Sequence, residues 1–97
     1  MRPMLGADLD RAVCCLLAVP RPLWPEQATR LIAAAQVADR YRKRTRQPHP
    51  QFGNGSVIDA AQRFPAVPLP RPGDPAYYHA LAEFLRVYLS QRGHHNS

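Results

Sequence analysis

The sequence predicts an all-α protein: a small bundle of about four helices with one long central helix and a Pro-rich connection before the last helix. Three observations carry that reading. Apolar residues recur at i, i+3, i+4 spacing in separate stretches of the 97-residue chain. Helix starts are marked by Asp8, by Pro25 with Glu26, and by Asp74 with Pro75. Eleven prolines and five glycines cluster between those stretches, where they stop helices and turn the chain. The length suits one compact domain over residues 1–97, with 1–7 and 94–97 expected to fray.

The first helix is predicted over Leu9–Val19 with Asp8 as N-cap, presenting Leu9, Ala12, Val13, Leu16 and Leu17 on one face. Prolines 20, 22 and 25 end it, because each lacks an amide donor and disfavours helix in the residue before it. Cys14 and Cys15 are adjacent within this apolar run, a poor geometry for a mutual disulfide and no metal-ligand spacing. They read as small core residues in a reducing compartment. The run is too short to span a bilayer and lacks a signal-peptide pattern, so a cytoplasmic location with no membrane partner is expected.

The second helix is predicted from Pro25 to Arg46, roughly 33 Å long at ~1.5 Å per residue, with Trp24 as an apolar anchor at its entrance. Its main stripe is Ala28, Leu31, Ile32, Ala35 and Ala38, and the same line runs on into Arg42 and Arg46. Arg40, Lys43 and Arg44 lie opposite, so the last two turns are basic all round. Val37 and Tyr41 form a weaker apolar face that reads as contact with a second subunit, whereas Ala33 and Ala34 read as plain helix formers.

Pro48 and Pro50 end the long helix. In the loop that follows, Gly53, Asn54 and Gly55 allow a tight reversal, Phe52 plugs back into the core, and Ser56 caps the next helix. A phosphate cradle is the other reading of Gly53–Ser56, but the lysine and spacing of a P-loop are missing. A third helix is predicted over Val57–Phe64, with Val57, Ala61 and Phe64 inward. Residues 65–73 are too proline-rich for helix and read as an extended strap packing through Val67 and Leu69, or as a ligand of a proline-binding domain. The last helix opens at Asp74–Pro75, carries Tyr78, Leu81, Ala82, Leu85, Tyr88 and Leu89 on its apolar face, and has Gly93 as candidate C-cap.

Charge supplies the functional signal. The chain holds 13 Lys+Arg against 7 Asp+Glu, a net +6, and five of the cations fall within Arg40–Arg46. The other 8 basic and 7 acidic residues nearly cancel. So local an excess points either to a polyanionic partner or to cations complementing the helix C-terminal dipole, which needs only one or two of them. Catalytic and metal chemistry find no support: His49, His79, His94 and His95 lack ligand-spaced Cys, Asp or Glu, and no nucleophile–base–acid set assembles, so the chain reads as non-enzymatic with no cofactor. No leucine heptads follow the basic segment, and the third helix is too short and apolar to read bases.

The run A-D-R-Y-R-K-R-T-R-Q-P-H-P-Q-F-G-N-G-S, with L-I-A-A-A-Q-V before it and D-P-A-Y-Y-H-A-L near the end, resembles the small terminase subunits of alphaproteobacterial gene transfer agents, phage-like particles that package host DNA. The resemblance covers most of the chain. It implies a helical homo-oligomer assisting a separate large terminase subunit that carries the ATPase and nuclease activities. It also implies weak, non-specific contact with double-stranded DNA, for which Arg40, Arg42, Lys43, Arg44 and Arg46 are the candidate phosphate ligands. His49, Phe52, Gly53, Asn54, Gly55 and Ser56 match the family's loop and read as structural; where that loop carries an acid after its first glycine, this chain has Asn54. The alternative is a basic helical adaptor or regulator that docks on an acidic protein.

Overall fold

The computed structural model describes residues 3–95. It contains α1 (Gly6–Leu17), a single 3-10 turn (Arg21–Leu23), α2 (Trp24–Thr45), α3 (Val57–Ala61) and α4 (Pro75–His95). No strand forms among the described residues; the only sheet-like feature there is an isolated antiparallel bridge between His49 and Gly53. α1 packs against all three other helices, α2 does the same, and α3 and α4 do not pack on each other. The Cα radius of gyration, 13.1 Å, is what about 100 residues sharing one core should give.

α1 begins earlier than Asp8 and ends earlier than Val19. Asp8 is the third helical residue, not the cap: its Oδ2 accepts from the Leu5 amide at 2.9 Å, which satisfies a donor that the helix start leaves open. Its Oδ1 accepts from the Ile58 amide at 2.8 Å. One buried carboxylate therefore ties the starts of α1 and α3, fifty positions apart. At the other end Ala12, Val13, Cys15 and Leu16 are fully buried, and Cys14 nearly so, as core residues.

The predicted stripe of α2, Ala28, Leu31, Ile32, Ala35 and Ala38, is completely buried. Trp24 closes the entrance, donating Nε1–H to the Val19 carbonyl at 3.2 Å with the Arg21 guanidinium over its ring. Ala34 belongs to the core as well, whereas Ala33 is exposed. The small side chain at 34 permits the close approach that a helix-propensity reading alone does not reveal.

α3 is shorter than expected because Gln62, Arg63 and Phe64 bond to the carbonyls three residues back, tightening the chain out of α geometry. Phe64 still packs on the core. The strap at 65–73 is pinned where the Val67 amide donates to the Cys14 carbonyl at 3.2 Å. Leu69 is 52% exposed, so only Val67 of the expected pair is partly covered.

α4 starts as predicted, with the Asp74 carboxylate accepting from the Ala76 amide at 2.9 Å. It does not stop at Gly93 but continues to His95; the expected fraying of Asn96 and Ser97 lies outside the described residues, as does that of Met1 and Arg2. Its buried line is Ala80, Phe84 and Val87, flanked by Tyr77, Leu81 and Tyr88. Of the predicted face, Tyr78 is 56% and Leu89 63% exposed, and Ala82 is also exposed. Both sides of this helix are apolar, so periodicity cannot choose between them. The choice falls to Ala80, whose small side chain lets α4 seat against its neighbours, and to the Tyr77 hydroxyl, which donates to Asp10 of α1 at 2.7 Å.

Candidate nucleic-acid interface

The basic end of α2 and the loop after it form one local structure. The loop is wired through its own polar groups. His49 Nδ1 accepts from the amides of Gln51 and Phe52, at 3.1 and 3.2 Å, and the His49 backbone exchanges both hydrogen bonds with Gly53. The His49 ring stands edge-on to Tyr41 at 5.0 Å and stacks on Phe52 at 5.2 Å. Phe52 packs on the core as expected. Asn54 Oδ1 accepts from the Ser56 amide, and Ser56 Oγ accepts from the Asp59 amide, making Ser56 the N-cap of α3.

Two glycines in this loop are required by what lies against them. Gly55 has φ +96°, and a Cβ there would stand 2.9 Å from Cα of Asp39. Gly53 has φ +82°, and a Cβ would meet the Asp59 side chain at 2.6 Å. Asp59 Oδ2 also accepts from the Asn54 amide at 3.1 Å, so this carboxylate organises the turn. It was not singled out from sequence, although Ser56-x-x-Asp59 is a capping-box spacing and carried the signal.

Asp39 is buried under Gly55 and is therefore not part of the exposed basic surface. Lys43 Nζ lies 3.1 Å from its Oδ2, and Arg42 Nη2 lies 3.6 Å from its Oδ1. Burial acts to raise the Asp39 carboxyl, but hydrogen bonds and charge, those of Lys43 among them, outweigh it and hold the group below its ordinary value. Arg40, Arg44 and Arg46 are exposed and have no acidic partner among the described residues. The Arg44 guanidinium sits 5.9 Å from the centre of the Tyr41 ring.

The five candidate cations separate into two sets. Arg42, Lys43 and Arg46 line an open groove of about 500 Å³ together with Pro48 and Asn54. Arg40 and Arg44, one helical turn apart, do not contribute to that lining. Pro48, read from sequence only as a helix stop, is a wall of the groove. Arg42 Nε is buried with no acceptor among the described residues, an arrangement that costs about 1–3 kcal/mol. Arg46 caps α2 in the left-handed region, φ 65°, a conformation glycine or asparagine adopts at less cost.

The other expected sites are placed as follows. Val37 is 38% exposed, while Tyr41 is half-buried against His49 and so has an intramolecular role as well. Among the described residues no group of three or more His, Cys, Asp or Glu can hold a metal ion. Burial pushes the Cys15 thiol up to about 11, with the neighbouring Cys14 adding to it, and burial also raises Cys14. No helix among the described residues is long and apolar enough to cross a membrane.

No curated protein and no solved structure matches the chain. A family profile does match, over residues 2–88, and the chain belongs to that family, described as Domain of unknown function (DUF7742).

Proposed function

We propose that this protein is a non-enzymatic accessory of DNA packaging, a helical oligomer that contacts DNA phosphates weakly without reading sequence and recruits a separate large terminase. The single observation that carries the DNA contact is the exposed, acid-free set Arg40, Arg44 and Arg46 at the end of α2. Apart from the Arg44 guanidinium over the Tyr41 ring, these three side chains have no charged or aromatic partner among the described residues. The helix dipole accounts for only one or two at about 0.3–1 kcal/mol each. Backbone contacts suffice for packaging DNA of any sequence, and the short, apolar α3 offers no base-reading helix. Support for self-association comes from α4, where Tyr78, Ala82 and Leu89 are exposed on one side of the helix with Leu85 half-exposed between them.

Fluorescence anisotropy on a random-sequence duplex, repeated over a salt series, tests the DNA contact. With three to five cations on phosphates, log K falls against log salt with a slope of about −3 to −4.5. An Arg/Lys-to-Ala series over 40, 42, 43, 44 and 46 that changes neither affinity nor slope refutes it. Sedimentation at micromolar concentration tests the oligomer, and a strict monomer refutes that part. If the duplex fails to bind and poly-glutamate binds through the same arginines, the protein is instead an adaptor for an acidic partner.

A further inference from the structure

We propose that the groove formed by Arg42, Lys43, Arg46, Pro48 and Asn54 is a built site for a phosphate group. It can serve the DNA contact proposed above, but it stands on the groove's own chemistry. Three cations from the last two turns and cap of α2 converge on one cavity with a single buried carboxylate, Asp39, behind them. Positive charge therefore remains in excess after Asp39 is compensated. That excess is concentrated at a helix C-terminus, where the backbone dipole repels anions, so side chains must provide all of the attraction.

The donors fit the ligand. Arg42 Nε–H is buried with no acceptor among the described residues, and Nη2 on the same edge lies 3.6 Å from Asp39, so the guanidinium that lines the groove keeps donors beyond those its carboxylate neighbour can take. Asn54, which also lines the groove, uses its Oδ1 to accept from the Ser56 amide, which leaves its NH2 group as a further donor. Arg46 occupies a left-handed cap position that favours glycine or asparagine, and the position places it on the groove. At about 500 Å³ the cavity lies within the roughly 300–1,000 Å³ of small-molecule sites, so it also admits the sugar attached to a phosphate. Phosphate is favoured over carboxylate because its tetrahedral oxygens can meet donors from several directions at once.

The test is a titration of the full chain with inorganic phosphate, followed by NMR at the Arg42 Nε–H and Asn54 NH2 resonances. Saturable shifts are expected, absent with chloride at matched ionic strength. Arg42→Gln and Arg46→Gly should each weaken binding by about tenfold or more, and Arg40→Gln and Arg44→Gln by less than about twofold. Arg46→Gly separates binding from folding, since it relieves the left-handed cap and should unfold at no lower temperature than the parent. Shifts that never saturate, that chloride reproduces, or that Arg40→Gln abolishes as fully as Arg46→Gly overturn the site.

A short oligonucleotide with and without a 5′-phosphate identifies the source of the group. Tighter binding of the phosphorylated strand assigns a terminal phosphate, and equal binding of both with weaker inorganic phosphate assigns the backbone; both outcomes support the site. If inorganic phosphate shifts Arg42 while duplex DNA does not bind, the packaging reading fails and the phosphate site stands. If duplex binding survives Arg46→Gly while the phosphate shifts are lost, the site again stands and the DNA contact belongs to Arg40 and Arg44.

Discussion

Replacing Asp8 by alanine removes an acceptor from two helix starts at once. The carboxylate takes the Leu5 amide at 2.9 Å and the Ile58 amide at 2.8 Å, and the residue is buried. A hydrogen bond to a charged group contributes about 1.5–3 kcal/mol; since both amides are only partly buried, the lower end applies to each. A carboxylate in the first turn of α1 adds about 0.3–1 kcal/mol through the dipole. The expected loss is then about 3–4 kcal/mol, a large share of the roughly 5–15 kcal/mol that holds a domain together. At about 4–8 °C per kcal/mol for this size, Tm should fall by more than about 12 °C. Urea unfolding and thermal circular dichroism measure the loss, and amide exchange at Ile58 should accelerate beyond the global change. Asp8→Asn keeps one acceptor oxygen and should cost about 2 kcal/mol. An Asp8→Ala protein within about 1 kcal/mol of the parent, with Ile58 still protected, would refute the clamp.

Further outcomes follow from other contacts. Gly55→Ala should destabilise by about 2–4 kcal/mol in urea unfolding, combining left-handed strain with a clash on the Asp39 backbone, whereas Gly73→Ala, at φ +85° with nothing within 4 Å, should lose only about 1–2 kcal/mol. Tyr77→Phe should cost about 1–1.5 kcal/mol by the same measurement, because it deletes the hydrogen bond to Asp10 on a half-buried side chain. That bond first, and burial second, raise the Tyr77 hydroxyl above its ordinary value of 10. The contribution is thus complete below pH 10 and is lost as pH rises through the folded value. Cys15 acts in the same direction: its thiol goes from 9.0 to about 11 on folding, so stability should fall by roughly 2–3 kcal/mol between those values, and denaturation at several pH values reads it. Both thiols should resist a disulfide reagent in native protein at pH 8 and react at once in urea, since burial keeps them protonated and covered.

How much of this was legible depends on the type of signal. The stripe from Ala28 to Ala38, Trp24 at the entrance, Ser56 as cap and Asp74 with Pro75 at the start of α4 are local patterns; backbone geometry needs only a few neighbouring residues to enforce them. The loop's reversal was equally legible from Gly53 and Gly55, which both take positive φ, whereas Asn54 between them does not and contributes its side-chain bond to the Ser56 amide instead. The division of the arginines was not legible. Residues 40 to 46 are cations at almost every helical angle, and only the loop folding back over Asp39 decides which of them share a groove.

By itself, then, the amino-acid sequence determined the helices, their breaks and the concentration of charge at one helix end, all of which rest on neighbours within a turn or two. Tertiary structure decided which face of α4 is buried, since Ala80, Phe84 and Val87 compete with an equally apolar line through Tyr78 and Leu89. It decided that Asp8 serves two helices, because its second partner lies fifty residues along the chain. It also decided that Arg42, Lys43 and Arg46 share a cavity with Asn54. Such juxtapositions depend on how closely packed elements meet, and no periodicity along the chain encodes that distance.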